Sequence, residues 1–458
     1  MNINNITSVR PIVGDGKKVY IETYGCQMNA NDSEVVLSIL QREGFVYTKQ
    51  VEQADLILVN TCSIRDNAEQ RVWGRLKELS KYRKTNKKLR IGIIGCMAER
   101  LKESLLEGEY PVDLVAGPDS YRSLPKLVRE TEAGGRGVNV ILSTEETYGE
   151  ISPVRLDANG VSAFISIMRG CNNMCTYCVV PYTRGRERSR DPKTIIREAQ
   201  ELLDAGYKEI TLLGQNVNSY KWEGDDNIHD FAELINAVAC LSNQVRVRFA
   251  TSHPKDLSDK LIETIAGNER ICRSIHLPAQ SGSSRMLELM NRRYTREWYL
   301  ERIAAIRKAI PDCAITTDII AGFCSETPED HELTLSLMRE VGYDSAYMFK
   351  YSERADTKAA RTMKDDIDEA TKTARLTEII ELQNKLSLES HRKDVGKVFE
   401  ILVEGVSKRS DKQMIGRTSQ NRVVVFDRAD CKIGDYATVK INDCTSATLF
   451  GELFTKNL

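Results

Sequence analysis

Short apolar runs that alternate with amphipathic helical stretches constrain the fold of this chain more than any other feature of its sequence. In the N-terminal third, three such runs each lead into a cysteine: "KVYIETYGC", "DLILVNTC" and "RIGIIGC". These cysteines, Cys26, Cys62 and Cys96, are 36 and 34 residues apart, about the length of one βαβ unit. The pattern predicts a three-layer α/β domain with a parallel sheet over residues 17–135.

The position of these cysteines at strand ends has a chemical consequence. In open parallel sheets, ligands bind in the crevice at the carboxyl ends of the strands. We therefore predict that Cys26, Cys62 and Cys96 converge in one crevice although they are far apart in sequence. The alternative is that each is a small buried core thiol.

A second series of six strand-like runs follows a polar, glycine-containing segment at residues 132–160, which predicts a linker. The runs are "FISIMRG", "EITLLGQN", "VRVRFATS", "SIHLPAQ", "AITTDIIAGF" and "SAYMFKYS", separated by helical stretches such as "PKTIIREAQELLDAG". Six βα repeats predict a parallel sheet curled into a full or partial (β/α)6 barrel over residues 157–392. Catalytic groups are then expected at the carboxyl ends of its strands.

The last part of the chain, residues 393–458, changes to short alternating strands with Gly, Asn and Asp between them, which predicts a small β-barrel. Its predicted loops carry basic residues, and these either bind RNA or form an ordinary solvated surface. They are Lys408, Arg409, Lys412, Arg417 and Arg422.

Charge and apolar patterning exclude several classes of protein. The chain has 65 Lys plus Arg against 66 Asp plus Glu, so it is not a polycation that coats nucleic acid, and any RNA contact must come from local patches. No secretory signal and no apolar run of about 18 residues is evident, so we expect a cytoplasmic protein without a membrane partner. In a reducing compartment, its twelve cysteines are better suited to metal binding, catalysis or packing than to disulfides.

The stretch "RGCNNMCTYC" places Cys171, Cys175 and Cys178 within eight residues. A structural zinc site closes with four ligands, and this loop supplies no fourth cysteine or histidine. A four-iron cluster takes one thiolate per iron, so three cysteines leave one iron open to another ligand. The triplet therefore favours an iron–sulfur cluster over zinc.

The spacing Cys-x3-Cys-x2-Cys, directly after the first strand of a βα barrel, resembles the radical S-adenosylmethionine (SAM) superfamily. The resemblance implies that SAM binds the open iron and is cleaved to methionine and a 5′-deoxyadenosyl radical. It also implies a set of SAM-binding residues, each of which has an alternative interpretation as a packing residue, a strand-end cap or a surface charge. They are Tyr177, Gly214, Gln215, Asn216, Thr251, Ser252, Gln280 and Arg293.

From about residue 17 to residue 455 the chain resembles the methylthiotransferase family, with three dispersed cysteines, a radical SAM core and a terminal TRAM domain. In that family Cys26, Cys62 and Cys96 match the ligands of a second, auxiliary four-iron cluster that carries the sulfur to be inserted. The resemblance thus implies two [4Fe-4S] clusters and two SAM molecules, one as methyl donor and one as radical source.

Within the family, the tRNA branch is the most similar in several segments: "YGCQMN", "NTCSIRDNAEQRVWGRL", "CVVPYTRGRERSR", "LLGQNVNSY" and "HLPAQSGS". This branch methylthiolates carbon 2 of N6-dimethylallyladenosine next to the anticodon (tRNA position 37). The implied partners are a tRNA anticodon stem-loop, an electron donor such as a flavodoxin or ferredoxin, and iron–sulfur assembly proteins. The alternatives are the branches acting on threonylcarbamoyl-adenosine or on a ribosomal-protein aspartate, and a non-catalytic iron–sulfur protein that binds RNA.

Arginines follow the cysteine loop at every second position from Arg184 to Arg190. Loop bases of RNA are read after they are splayed out, stacked on aromatic or guanidinium planes and held by their phosphates. We therefore predict that Arg184, Arg186 and Arg188, together with Arg417, contact the RNA. The alternative is a solvated charged loop.

Overall fold

A computed structural model describes residues 16–62, 66–107, 110–156, 159–224 and 227–454. Residues 157 and 458, the predicted limits of the central and terminal domains, lie outside these ranges, as do residues 63–65 in the motif that follows Cys62. Within the described ranges no helix has the length and apolar character needed to cross a bilayer.

The N-terminal domain is a six-stranded, fully parallel sheet with strand order β2-β1-β3-β4-β5-β6. Its strands are β1 (Lys18–Thr23), β2 (Val46–Tyr47), β3 (Leu56–Thr61), β4 (Arg90–Gly95), β5 (Leu114–Ala116) and β6 (Gly137–Asn139). Its helices are α1 (Gln27–Arg42), α2 (Asp66–Leu79), α3 (Cys96–Leu101), α4 (Ser104–Glu107) and α5 (Leu124–Glu132).

The sheet of this domain is covered on both faces because successive strand residues point to opposite sides. Leu56 and Leu58 pack in the core formed with α1 and α5, whereas Ile57 and Val59 pack in the core formed with α2 and α3. This arrangement confirms the predicted three-layer α/β domain.

Strands β2, β5 and β6 did not show in the sequence pattern, because runs of two or three residues are too short to display an alternation. Strand β6 lies beyond residue 135, inside the segment interpreted as a linker. The rest of that segment also packs: Tyr148 and Ile151 are almost fully buried and belong to the core of the N-terminal domain. Much of the expected linker is therefore part of the first domain.

The central domain contains the six predicted barrel strands in chain order. They are β7 (Ser162–Ser166), β10 (Glu209–Leu213), β11 (Arg246–Ala250), β12 (Ser274–His276), β13 (Ala314–Ala321) and β14 (Ser345–Lys350), with a short hairpin of β8 (Met168–Arg169) and β9 (Arg188–Ser189). The parallel sets β7-β10-β11 and β12-β13-β14 are joined by the bridge between Val247 and Ile271. The predicted partial (β/α)6 barrel is confirmed.

Helices surround this barrel and bury its outer face. They are α6 (Val180–Thr183), α7 (Pro192–Asp204), α8 (Phe231–Ala239), α9 (Asp259–Gly267), α10 (Ser284–Leu289), α11 (Arg296–Ala309), α12 (Pro328–Val341), α13 (Lys358–Thr362) and α14 (Glu369–Arg392). Buried side chains of the strands, including Ile165, Ile210 and Ile319, form one continuous core with α7, α8, α9, α11 and α12.

The terminal domain is a closed five-stranded barrel in the order β15-β16-β17-β19-β18, which confirms the predicted small β-barrel. Its strands are β15 (Val398–Val406), β16 (Gln413–Arg417), β17 (Val423–Asp427), β18 (Tyr436–Cys444) and β19 (Leu449–Leu453). The β16–β17 loop closes the amino-terminal end of the central barrel. Arg248 of β11 donates to the carbonyls of Thr418 (2.7 Å) and Ser419 (3.1 Å), and Gln420 donates to Asp312 (2.9 Å). This contact leaves the opposite, carboxyl-terminal end of the barrel for chemistry.

We predict that Arg248→Met weakens the junction between the central and terminal barrels. Arg248 also pairs with the buried carboxylate of Glu209 at 2.7 Å, so the substitution leaves that charge unpaired in the interior. Losing one partner of a buried ion pair costs about 3–5 kcal/mol, which should appear in the free energy of unfolding from denaturant titration.

The control for this prediction is the double variant Arg248→Met, Glu209→Leu, which removes both charges and should recover much of the loss. A change of less than about 0.5 kcal/mol in the single variant, as for an ordinary surface substitution, would contradict a stabilising role for this contact.

Candidate functional site

Three cysteines of the N-terminal domain converge at the carboxyl ends of its central strands, and we call them the auxiliary thiols. Cys26 immediately precedes α1, Cys62 follows β3, and Cys96 begins α3 after β4. Cys62 and Cys96 are buried, whereas Cys26 is exposed to solvent. Gly25, at φ +123°, permits their approach, because a Cβ atom there would lie 2.5 Å from the Cβ of Cys62. The convergence predicted from strand spacing is therefore present.

The electrostatic environment of the auxiliary thiols is uneven. A hydrogen bond with Cys62 and the charge of Arg184 lower the pKa of Cys26 to about 6, although its partial enclosure opposes the shift. Burial raises the pKa of Cys96, again against the attraction of Arg184. Because the thiolate is the form that binds metal, Arg184 favours the charge state that a bound cluster requires.

Arg184 reaches this site from the central domain. Its Nε donates to Cys96 Sγ at 3.2 Å, and its Nη2 donates to Asp32 Oδ2 at 2.8 Å and to Asn29 Oδ1 at 3.2 Å. Its neighbour Gly185 accepts a hydrogen bond from the backbone N–H of Cys171 at 3.2 Å. A continuous path of contacts therefore leads from the auxiliary thiols to the cysteine triplet of the barrel.

These contacts correct the prediction that Arg184 and Arg188 bind RNA. Both side chains are buried, and Arg188 makes a paired contact with the two carboxylate oxygens of Asp119 at 2.8 and 2.9 Å. Their guanidinium groups bind protein, because the N-terminal domain covers the loop that carries them. Arg186 is exposed and its RNA contact stays a prediction. Arg417 pairs with Glu404 at 3.1 Å beside the loop that closes the barrel.

Cys171, Cys175 and Cys178 lie on one loop between β8 and α6. The loop is folded on itself and on the barrel, since Cys178 N–H donates to Cys175 O at 3.0 Å and Thr176 N–H donates to Met290 O at 3.1 Å. Gly170 (φ +77°) is required at its start, because a Cβ atom there would lie 2.0 Å from the carbonyl oxygen of Arg186. Burial raises the pKa of Cys171 to about 11 and that of Cys178 to about 12, so without a metal these two thiols are neutral.

A buried arginine that the sequence interpretation missed contacts this triplet. Arg292 donates to Cys175 Sγ at 3.3 Å and to the hydroxyl of Tyr177 at 3.4 Å. Its neighbour Arg293, the predicted carboxylate-binding residue, is solvent exposed with φ +61°. The two arginines are adjacent in an irregular loop, so no periodic pattern indicates which one faces inward. The Tyr177 ring packs edge-on against Phe323, consistent with its alternative interpretation as a packing residue.

Several buried polar atoms at the ends of β10 and β11 lack hydrogen-bond partners among the described residues. They are Gln215 Oε1, Asn216 Oδ1, both amide atoms of Asn218, Ser252 Oγ and His253 Nε2. Their loops adjoin, because Val217 N–H donates to Thr251 O at 2.9 Å. Buried polar groups are almost always paired, so this concentration indicates a place for a polar ligand. Three of these residues were predicted from the sequence, whereas Asn218 and His253 were not.

The remaining predicted residues of this region shape its backbone. Gly214 packs so closely on Met168 that a Cβ atom would lie 2.4 Å from the Met168 Cγ. Thr251 and Gln280 both adopt φ +69°, the left-handed region that few non-glycine residues occupy. Such conformations cluster at ligand-binding sites, where the surrounding structure maintains the strain.

His253 is held neutral in this region. Burial and the nearby charge of Arg292 lower its pKa to about 2. Its ring contacts the ring of Tyr294, which in turn accepts a hydrogen bond from Arg292 at 3.0 Å. The polar strand ends and the cysteine triplet are thus connected through Arg292 and Tyr294.

The arrangement of donors bears on the kind of metal centre. Within the described ranges no three Cys, His, Asp or Glu side chains are placed to hold a single metal ion. The described residues contain two separate sets of three thiols, one at strand ends and one on a loop.

Comparisons with known proteins follow the same three-part division. Residues 18–117 match the family described as uncharacterized protein family UPF0004, residues 165–338 match the radical SAM superfamily, and residues 392–454 match the TRAM domain. Among solved structures, the radical SAM methyltransferase TsrM from Kitasatospora setae, with cobalamin and a [4Fe-4S] cluster bound, matches with a TM-score of 0.56. The identity is 14%, over 76% of this chain and 77% of that one, and the likeness shows the fold alone.

Curated relatives are far closer. A tRNA-2-methylthio-N(6)-dimethylallyladenosine synthase from Phocaeicola vulgatus is 57% identical over 439 residues, covering 96% of both chains. One of the same name from Parabacteroides distasonis is 57% identical over 438 residues, again covering 96% of both. Since the match spans all three domains, the chain belongs to the family of tRNA-2-methylthio-N(6)-dimethylallyladenosine synthases within the radical SAM superfamily.

Proposed function

We propose that this enzyme inserts a methylthio group at carbon 2 of N6-dimethylallyladenosine next to the anticodon of tRNA. The observation that carries the proposal is the 57% identity to synthases of that name over 96% of both chains. The structure supports it because the chemistry requires two metal centres near one substrate, and the two thiol triplets are connected through Arg184 and Gly185.

The cofactors are SAM and two [4Fe-4S] clusters. Cys171, Cys175 and Cys178 would hold the cluster that binds SAM, and Cys26, Cys62 and Cys96 would hold the auxiliary cluster. When bound, these groups supply an electron, a carbon-centred radical, a methyl group and a transferable sulfur. The protein itself would keep water away from these groups, because Cys62, Cys96 and Cys175 are buried.

Residues of the chain itself would orient the bound SAM. The amino group and ribose hydroxyls of SAM would donate to the unpaired amide oxygens of Gln215 and Asn216, and the Ser252 hydroxyl would donate to its carboxylate. The neutral ring of His253 accepts or donates a hydrogen bond without adding a positive charge beside the sulfonium. Arg292 brings a permanent positive charge to Cys175 and so stabilises the negative charge of a thiolate-ligated cluster.

The tRNA would approach the carboxyl-terminal end of the central barrel, where both thiol triplets lie. Arg186, which is exposed just after the cysteine loop, would contact phosphate. The terminal barrel carries exposed Lys408, Arg409 and Lys412 on the β15–β16 loop, and these would add contacts to the RNA backbone. An electron donor of the flavodoxin or ferredoxin type and iron–sulfur assembly proteins complete the proposed set of partners.

The direct test is anaerobic reconstitution followed by incubation with SAM, a reductant and tRNA that carries dimethylallyladenosine. Mass spectrometry of the nucleosides should show conversion to the 2-methylthio derivative, together with 5′-deoxyadenosine. If 5′-deoxyadenosine forms while dimethylallyladenosine is unchanged, the substrate assignment is wrong. tRNA that carries threonylcarbamoyl-adenosine instead serves as the matched control substrate.

We predict that the two thiol triplets have separable roles. Cys62→Ala should retain SAM cleavage but lose methylthio transfer, whereas Cys175→Ala should lose cleavage itself, since only the second change removes a ligand of the SAM-binding cluster. Chemical analysis should give about eight irons in the wild-type chain and about four in each variant. Equal loss of cleavage in both variants, or about four irons in the wild type, would exclude the two-cluster arrangement.

We also predict that Ser252→Ala weakens SAM binding without destabilising the protein. The hydroxyl is buried and unpaired in the described structure, so its removal sacrifices no internal hydrogen bond. Loss of one hydrogen bond to the ligand is worth about 0.5–1.5 kcal/mol, or roughly 2- to 13-fold in the dissociation constant from equilibrium dialysis.

The matched control is Ser387→Ala, since Ser387 is also buried but donates to Asp344 O at 2.8 Å and accepts from Gln383 at 2.9 Å. This control should lower the free energy of unfolding and leave SAM affinity unchanged. Unaltered SAM affinity in Ser252→Ala would remove Ser252 from the binding site.

A further inference from the structure

Arg184 has a donor that the protein does not use. Its guanidinium is buried, with Nε on Cys96 and Nη2 on Asp32 and Asn29, yet Nη1 has no acceptor among the described residues. Leaving a buried donor unpaired costs about 1–3 kcal/mol. The Nε–Nη2 edge of this rigid, planar group faces Cys96, Asp32 and Asn29, and Nη1 is its one nitrogen without a described acceptor.

Contact between the two domains does not by itself explain the position of Arg184. Arg169 occupies the other oxygen of Asp32 at 2.7 Å and also donates to Pro118 O at 3.0 Å, so it joins the two domains without contacting any thiol in the described structure. Arg184 instead directs one N–H at a cysteine, although each of the two arginines has one nitrogen without a described acceptor. The two arginines share a carboxylate and differ in their relation to the auxiliary site.

We propose that Arg184, whose Nε donates to Cys96, is a positioning residue for the anionic sulfur carried at the auxiliary centre. The proposal rests on the proposed function, which supplies the sulfur. A guanidinium suits this task because it stays positively charged at any working pH and presents several donors in a fixed plane. The expected ligand class is sulfide or hydrosulfide, bound as an anion.

The position of Arg184 also couples the two centres. It lies six residues after Cys178, and its neighbour Gly185 fixes the backbone of Cys171. Hydrogen bonds to cluster sulfurs raise the reduction potential, because they stabilise the more negative reduced state. Removal of Arg184 should therefore both weaken sulfur binding and make the potential of the auxiliary cluster more negative.

The test uses reconstituted full-length enzyme, reduced and saturated with SAM, titrated with sodium hydrosulfide and followed by electron paramagnetic resonance. Arg184→Gln should weaken hydrosulfide binding about tenfold or more, as expected for loss of a charge-assisted hydrogen bond, and should lower the midpoint potential of the auxiliary cluster. Arg184→Lys, which restores the charge, should recover part of both effects.

Arg169→Gln is the matched control, because it removes the other arginine on the same carboxylate. It should affect hydrosulfide binding and the midpoint potential less than Arg184→Gln does, even where it lowers thermal stability. Wild-type hydrosulfide binding in Arg184→Gln, or an equal loss in Arg169→Gln, would overturn the proposal. A wild-type enzyme whose spectrum does not respond to hydrosulfide would instead count against the auxiliary centre of the proposed function.

Discussion

The carboxylate of Asp32 joins the N-terminal domain, which carries one thiol triplet, to the central domain, which carries the other. It is fully buried on α1 of the N-terminal domain and accepts hydrogen bonds from Arg169 and Arg184 of the central domain. The two arginines keep its pKa below the usual range, against the opposing effect of burial. Burying charged groups is costly unless each one is paired, so these ion pairs hold the two domains in one relative position.

This relative position of the two domains determines the surroundings of the auxiliary thiols. An isolated N-terminal domain would present Cys26, Cys62 and Cys96 in an open crevice. With Arg184 inserted from the central domain, the crevice gains a fixed positive charge beside Cys96. Arg188 and Asp119 repeat the pairing a short distance away, so several ionic contacts, rather than one, fix the distance between the auxiliary thiols and the loop of Cys171.

The two ends of the central barrel differ in how their polar groups are paired. At the amino-terminal end, Arg246 and Arg248 donate to carbonyl groups of the terminal barrel. At the carboxyl-terminal end, several buried polar atoms lack partners among the described residues, and Thr251 and Gln280 adopt left-handed conformations. Unpaired polar groups and backbone strain are expected where binding energy is reserved for a ligand.

The sequence alone predicted the three-part architecture, the six strands of the central barrel and the two sets of three cysteines, because strand periodicity, βαβ spacing and the Cys-x3-Cys-x2-Cys loop are local patterns. It did not determine the partners of charged residues. Arg184 and Arg188 resemble a solvated or RNA-binding run, yet the tertiary structure buries them on aspartates of another domain. Likewise, only the folded loop shows that Arg292 faces Cys175 while Arg293 faces solvent. The physical reason is that burial and ion pairing depend on residues 69 to 152 positions away, which no local pattern records.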